Sequence, residues 1–578
     1  MMSEHDQSDA SNSASSDEDD LPAAQETEDL SEADSMPKPR RRSVVAPVII
    51  VLALLMAVAL NLFGADLDFA FVNIGTLGAA NIIFYTGVIW YLRRGPGALK
   101  RRLLIGAALL ILPMAFFAIV EIDSVSGEMV PHLRFRWTVR PDEDLPQLQP
   151  KSDSLVELTE SSDDFSEFLG PARLNRLAHI KIAKDWGTAP PKLLWRRRIG
   201  AGWSSFSTRG PLAATLEQRG ENELVTCYEI QTGDPVWSHS IQTRHETTLG
   251  GIGPRSAPTW DGSRVYAQGA TGILRAIDGR NGKLLWKVDV REQSGLSEAE
   301  DRKAIAWGRS GSPLIVDQLV VIPFGGTTNG KKYSLAAYDK MTGKQVWKGG
   351  DRQIGYASPV LATLCGVRQI VSVNEDNVSG HDPRTGKTLW AEKWPGFSNS
   401  EANVSQPVVL PENHVLLSKA YGRGSKLIAV SHEQSRWSVK EIWAETRLMK
   451  TKFTNVAVFD DYVFGLSDGI MECIDWKQGK SLWKSRKGRY HQGQLLGLAD
   501  SILVQAEEGY VALMEPSPSG FNELSRLDAL DGKTWNNLSF APPFLLVRNA
   551  TDAACFELTM ASNVIDRESA GGETATEE

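Results

Sequence analysis

The sequence predicts an all-β domain, an eight-bladed β-propeller of four-stranded blades closed by pairing of the domain ends, preceded by three transmembrane α-helices. Three observations predict it. A ten-residue pattern ending in Trp recurs between Trp195 and Trp483, with Trp spacings of 42, 49, 61, 43, 53 and 40 residues, the range of propeller blades. Three long uncharged runs lie within residues 44–122. The 578 residues include 50 Gly and 17 Trp but only 4 Cys. That composition suits tight turns and aromatic anchors, and it excludes a disulfide-stapled scaffold.

Residues 1–36 carry 12 Asp or Glu and no Lys or Arg. Too little apolar surface is available there to offset ordering, so residues 1–43 are expected to be a disordered acidic cytoplasmic tail. A second disordered acidic tail is expected at 561–578. The uncharged runs Val44–Phe63, Phe69–Leu92 and Leu103–Val120 are each long enough to cross a bilayer core of about 30 Å at about 1.5 Å per residue. Arg40–Arg42 precede the first run, and Arg93, Arg94, Lys100, Arg101 and Arg102 separate the second from the third. The intervening loop holds Asp66 and Asp68 and no basic residue. The positive-inside rule therefore predicts a multi-pass protein of the inner, cytoplasmic membrane, with a cytoplasmic N-terminus and an extracytoplasmic, periplasmic propeller. Gly75, Gly78, Gly87 and Gly106 lie in these runs without any ionisable residue, which favours an anchor over a transport path. Residues 123–164, with Pro131, Pro141, Pro146 and Pro150, are expected to be an extracytoplasmic linker. Phe135 and Trp137 suit either the membrane interface or packing under the domain.

Residues 165–560 form the repeat domain. Tyr228-Glu-Ile-Gln-Thr-Gly-Asp-Pro-Val-Trp237 returns as Ile277-Asp-Gly-Arg-Asn-Gly-Lys-Leu-Leu-Trp286, then in copies ending at Trp347, Trp390 and Trp483. Trp443 ends a degenerate copy, and Trp195 stands alone at the start. Alternating runs such as Arg264-Val-Tyr-Ala-Gln and Ile273-Leu-Arg-Ala-Ile predict strands. Asp-x-x-x-Gly predicts a turn, since Asp bonds the backbone ahead of it and Gly supplies positive φ. Outer strands begin near each Trp, and the seventh ends with Glu523–Leu530. Trp535–Leu558 supplies three strands of the last blade, and Lys192–Ile199 its fourth, which removes an open edge.

The Asp-x-x-Thr-Gly-Lys-x-x-Trp repeats resemble those of the pyrroloquinoline-quinone (PQQ)-like β-propeller family, which includes quinoprotein alcohol dehydrogenases and the outer-membrane-protein assembly lipoprotein. Phe168-Leu-Gly-Pro171, Trp195–Phe206 and Leu545-Leu-Val-Arg-Asn549 resemble a dehydrogenase-like bacterial subgroup. The repeat is structural, so it implies the fold more strongly than an activity.

The first residues of each inner strand are expected near the axis at one face. Around the ring they include Trp203, Arg255, Arg309, Tyr356, Asn403, Asn455, His491, Trp535 and Asn536. The resemblance implies that family quinoproteins hold their cofactor here. Two Arg suit an anionic ligand, and Trp203 and Trp535 offer stacking surfaces. A wet channel end lined by polar residues explains the same pattern. No metal ligands or catalytic residues stand out. The candidate carboxylates Glu375, Asp376, Glu401 and Asp468 form no metal-site pattern, and the adjacent Cys pair of many alcohol-oxidising relatives is missing.

A net charge of −9, from 62 basic and 71 acidic residues, argues against a nucleic-acid partner. No nucleophile elbow, phosphate loop, zinc motif or haem-attachment motif occurs. Two functions remain. The first is a membrane-anchored binding or scaffold module for an envelope protein or small ligand. The second is a PQQ-dependent alcohol or sugar dehydrogenase, with PQQ and Ca²⁺, passing electrons to membrane quinone.

Overall fold

The computed structural model describes residues 44–64, 69–149, 157–327 and 330–561. The two expected acidic tails, Ala561 apart, and the loop bearing Asp66 and Asp68 lie outside the described residues.

Helices α1 (Val45–Phe63), α2 (Phe69–Arg94) and α3 (Leu99–Ile119) are long and apolar enough to cross a membrane. Small residues let them approach. A Cβ on Gly75 would meet Leu60 of α1 at 2.5 Å, and one on Gly106 would meet Leu92 of α2 at 2.2 Å. Gly78 and Gly87 face open space. Asn61 Nδ2 donates to Thr76 Oγ1 at 3.1 Å, joining α1 to α2. The basic cluster Arg93–Arg102 lies at the far end of the bundle from the propeller, which meets the start of α2.

Eight four-stranded antiparallel sheets make the propeller. Blade one comprises Ser207–Arg209, Leu212–Arg219, Asn222–Glu229 and Pro235–Gln242. The inner strands of blades two to seven begin at Thr259, Leu314, Val360, Val408, Ala457 and Gln494. Blade eight takes Ser539–Ala541, Phe544–Arg548 and Asp552–Glu557 from the C-terminal end and Lys192–Arg198 as its outer strand. The closing register runs from Lys192 opposite Glu557 to Arg198 opposite Asp552. Blade number and closure follow the sequence expectation.

The repeat motif joins each blade to the next. In the turn after Tyr338, the Asp339 carboxylate accepts from Met341 N (3.1 Å) and Thr342 N (2.8 Å). Gly343 then adopts φ 71°, a left-handed conformation that costs glycine little. The same glycine underlies Trp286 of the preceding blade, where a Cβ would lie 2.7 Å from the ring. Trp286 Nε1 donates to the Lys340 carbonyl at 3.1 Å. Trp195, Trp237, Trp347 and Trp443 repeat this on Ile230, Gly279, Pro383 and Trp476, over Gly233, Gly282, Gly386 and Gly479. The indole thus satisfies its donor while covering apolar surface. Trp390 differs. The next blade turns through Gln434 and Ser435, both at positive φ, without the motif, so Trp390 Nε1 donates within its own blade to Gln369 Oε1 at 2.5 Å.

The core is a series of layers between blades. Leu216, Val225 and Trp237 of blade one pack on Trp260, Val265 and Ile277 of blade two. On the other face of blade one, Ala213 and Tyr228 pack on Leu546 and Cys555 of blade eight. The 61-residue spacing before Trp347 is explained by two short helices, α4 (Val290–Gln293) and α5 (Glu298–Ala304), inserted between blades two and three.

Two N-terminal segments cover the channel ends. Residues 165–183 form a strap across one end. Phe165 N bonds Thr208 of blade one, Ser166 O accepts from Trp260 of blade two, and Asn175 Nδ2 donates to Val456 O before blade six. Leu177 N bonds Gly497 of blade seven and Ala183 N bonds Thr559 after blade eight. The buried Arg173 guanidinium donates to the Ser312, Pro313 and Pro359 carbonyls and pairs with Glu167 at 2.9 Å. At the other end lies a β-hairpin, Val120–Val125 paired with Pro131–Phe135. It falls mostly within the segment read from sequence as linker. Its first strand alternates apolar and acidic residues, and it continues directly from α3. Phe135 and Trp137 stack at 5.0 Å and are 52% and 69% exposed beside the end of α3, so they are not packed under the propeller.

Candidate functional site

Part of the inner-strand ring meets beside the hairpin: His491 contacts Glu128, and Lys533, bonded to Val125 O, lies against Trp203 and Trp535. Trp203 of blade one meets Trp535 of blade eight at 4.9 Å between centroids, and Phe453, before blade six, meets Trp535 at 4.8 Å. Tyr356 packs on Trp307 at 5.2 Å. Lys533 Nζ lies 4.5 Å from the Trp535 ring and 5.2 Å from that of Trp203. Burial brings the Lys533 ammonium down to about 8, against the opposing pull of Glu507 and Asp123.

Most polar groups of this ring bond to the chain itself, whereas Trp535 Nε1, Arg309 Nε, Asn403 Oδ1 and Asn536 Oδ1 are buried without a hydrogen-bond partner among the described residues. Arg255 donates to the carbonyls of Gly253 (2.6 Å), Gly250 (2.7 Å) and Gly251 (3.2 Å), and burial lowers it to about 10. Arg309 donates to Phe324 O at 2.6 Å and pairs with Asp301 of α5 at 2.7 Å. Trp203 Nε1 donates to Gly250 O at 2.7 Å, and Tyr356 OH donates to Ser398 O at 2.9 Å. Asn403 Nδ2 bonds the carbonyls of Asn374, Glu375 and Trp394. Asn536 Nδ2 bonds those of Gly202 and Ser204, and Asn455 Oδ1 accepts from Gln406 N. These side chains tie inner-strand loops together.

His491 is engaged differently. Its Nδ1 lies 2.9 Å from Glu128 of the hairpin and its Nε2 2.9 Å from Glu508. These two carboxylates hold the imidazolium well above its usual range, at about 10. Burial pushes Glu128 up, but His491, Arg489 and Lys452 outweigh it and leave its pKa lowered. The His491 contribution is therefore complete below its ordinary value near 6.5 and is lost as pH rises through about 10. The Glu128 contribution is complete above its ordinary value near 4.5 and is lost as pH falls below it.

The residues present do not fit PQQ with Ca²⁺. The two Arg that suit an anionic quinone are directed at backbone carbonyls and Asp301. The candidate carboxylates also have partners. Glu401 pairs with Arg423 at 3.0 Å, Glu375 accepts from Ser398 N at 3.1 Å, Asp376 faces Arg352 at 3.7 Å, and Asp468 accepts from Phe69 N at 3.4 Å. Among the described residues, no three His, Cys, Asp or Glu converge on a cation site. The four cysteines are unpaired thiols. Burial raises Cys227, Cys473 and Cys555.

Sequence reasoning missed the residues that contact the hairpin: Lys452, Arg489, Glu507 and Lys533. Lys452, Arg489 and Lys533 precede inner strands like the predicted residues and Glu507 follows the second strand of blade seven, but their partners lie more than 300 residues away in the chain. Only the Val120-Glu-Ile-Asp-Ser-Val125 alternation signalled that residues 120–135 are structured.

The family profile described as "Outer membrane protein assembly factor BamB" matches residues 189–328 and 221–485, just over half of the chain. The chain is 26% identical over 177 residues to quinohemoprotein alcohol dehydrogenase ADH-IIG of Pseudomonas putida, covering 30% of this chain and 23% of that enzyme. It is 22% identical over 304 residues to outer membrane protein assembly factor BamB of Yersinia pestis, covering 49% of this chain and 70% of that protein. The solved quinohemoprotein alcohol dehydrogenase of Comamonas testosteroni superposes with TM-score 0.50 at 12% identity, covering 68% of this chain and 80% of that one. That likeness concerns the fold alone. The chain belongs to the PQQ-like β-propeller repeat family that carries the BamB description.

Proposed function

We propose that this protein is a membrane-anchored, extracytoplasmic propeller that serves as a binding or scaffold module for an envelope protein. One observation carries the reading: the charged groups of the ring are bonded to the chain itself, so none is left directed at an axial cofactor. The anchor is the three-helix bundle. Its basic loop lies at the end away from the propeller, which under the positive-inside rule supports a propeller on the periplasmic side of the inner membrane. The Yersinia pestis relative is an assembly factor, and a protein partner in the envelope is the corresponding role here.

The second reading is a PQQ-dependent alcohol or sugar dehydrogenase delivering electrons to membrane quinone. The match to the Pseudomonas putida enzyme favours it, although that match spans under a quarter of the enzyme. The two are separated by titrating the purified full-length protein with PQQ and Ca²⁺ while following tryptophan fluorescence. The scaffold reading predicts no saturable quenching at tens of micromolar PQQ. Saturable quenching, weakened about ten- to a hundredfold by Arg255→Ala or Arg309→Ala, would establish the dehydrogenase reading instead.

A further inference from the structure

The hairpin tip meets the ring through a set of specific contacts that the scaffold reading does not require. Gly127 N donates to Glu507 Oε1 at 2.7 Å, and Lys452 Nζ donates to Gly127 O at 3.1 Å. Lys533 Nζ donates to Val125 O at 3.1 Å. The Glu128 carboxylate is paired with Arg489 and with His491. Glu507 is buried, and its second oxygen accepts from Gln492 N at 2.9 Å. The Gly127 amide therefore supplies a donor to a carboxylate that is otherwise costly to bury.

The fit is steric as well as polar. A Cβ on Gly127 would lie 2.1 Å from Cγ and 2.6 Å from Cβ of Gln492. Gln492 is itself fully buried, so this position accepts only glycine without displacement. The membrane bundle shares the contact. Asn73 Nδ2 of α2 donates to Glu128 O at 2.8 Å, and the Arg489 guanidinium stands 4.1 Å over the Phe69 ring. One arginine thus touches both the hairpin carboxylate and the first residue of α2.

We propose that the Val120–Phe135 hairpin is a resident plug, whose Ser126–Glu128 tip occupies the axial mouth of the propeller and fixes that face toward the membrane bundle. Three consequences follow from the geometry. The part of the ring belonging to blades six to eight is covered by the chain's own backbone. An external partner meets the sides or the strap-covered end of the propeller. Movement of α2 or α3 is transmitted to the mouth, because the hairpin continues from α3 and is bonded to α2.

The test uses the full-length protein in lipid nanodiscs and reads amide hydrogen exchange of residues 120–135. In the wild type, the Gly127 amide should exchange at least about a hundredfold more slowly than in an unstructured peptide, as expected for a bond that opens only by undocking. Glu128→Lys places a cation against Arg489, His491 and Lys452, and should accelerate Gly127 exchange about ten- to a hundredfold. Arg489→Glu combined with Glu128→Lys should restore part of the protection. Unchanged exchange in blade strands such as Val463–Leu466 shows that each variant remains folded. If Glu128→Lys does not fold, Glu128→Gln takes its place with a smaller acceleration expected. Wild-type Gly127 exchanging at the unstructured rate, or a folded Glu128 variant with unaltered protection, overturns the proposal. Neither result depends on whether the protein binds PQQ, so plug and scaffold readings fail separately.

Discussion

Deleting Lys192–Arg198 is expected to open the ring and leave the protein aggregated or grossly destabilised. The strand is the outer member of blade eight, and its ladder with Asp552–Glu557 joins the two ends of the propeller domain. Trp195 leaves with it. That indole donates to Ile230 O at 2.7 Å and covers Gly233 of blade one. Losing a fully buried aromatic costs on the order of 3–5 kcal/mol, and the partly buried Trp195 less than that. The deletion also exposes Asp552–Glu557 as a free edge, a template for pairing with other chains. Trp195→Ala, which keeps the ladder, should cost less than the deletion. Thermal melting with light scattering measures both. A deletion variant that melts like the wild type would mean that the ring closes elsewhere.

The second large effect is expected at a buried ion pair between blades one and two. Arg275 NH2 meets Glu223 Oε1 at 2.6 Å, with both side chains essentially inaccessible. Glu223 also accepts from Ala270 N at 3.0 Å. Burial outweighs the mutual attraction in both groups: it raises Glu223 and lowers Arg275. Arg275→Ala strands a carboxylate in the interior and should cost about 3–5 kcal/mol, and Glu223→Ala should cost a similar amount. Replacing both together, Arg275→Met with Glu223→Leu, should recover most of that loss, because the pair itself offsets its desolvation poorly. Urea unfolding of the four proteins gives the coupling. Additive losses in the double variant would contradict this account.

These residues also show why part of the structure was legible in sequence. The Trp spacing announced seven of the eight blades because most of these Trp reach the turn of the next blade, which favours one copy per blade. Trp195 signalled closure for the same reason: an outer-strand Trp without preceding strands needs a blade from elsewhere. Arg275 was not legible. In Ile273-Leu-Arg-Ala-Ile, period-two alternation suggests one wet face, yet a propeller blade has a neighbour on each side and both faces are buried. Arg173 was hidden similarly. It sits in an irregular strap with positive φ at Leu169, Ala172, Arg173 and Asn175, a conformation without sequence periodicity. Strand order groups the ring residues at the starts of the inner strands, but their hydrogen-bond partners are mostly loop carbonyls that no spacing rule identifies. The hairpin contacts depend on chain segments more than 300 residues apart.

We propose that the propeller stands outside the cytoplasmic membrane on a three-helix anchor. Topology reporters test it most directly. Fusions after residue 64 and after residue 560 should be active only as extracytoplasmic reporters, and a fusion at Gly97, in the basic loop between α2 and α3, only as a cytoplasmic one. A cytoplasmic signal from the fusion after residue 560 would contradict the account, since both the scaffold and the dehydrogenase readings require the propeller on the other side.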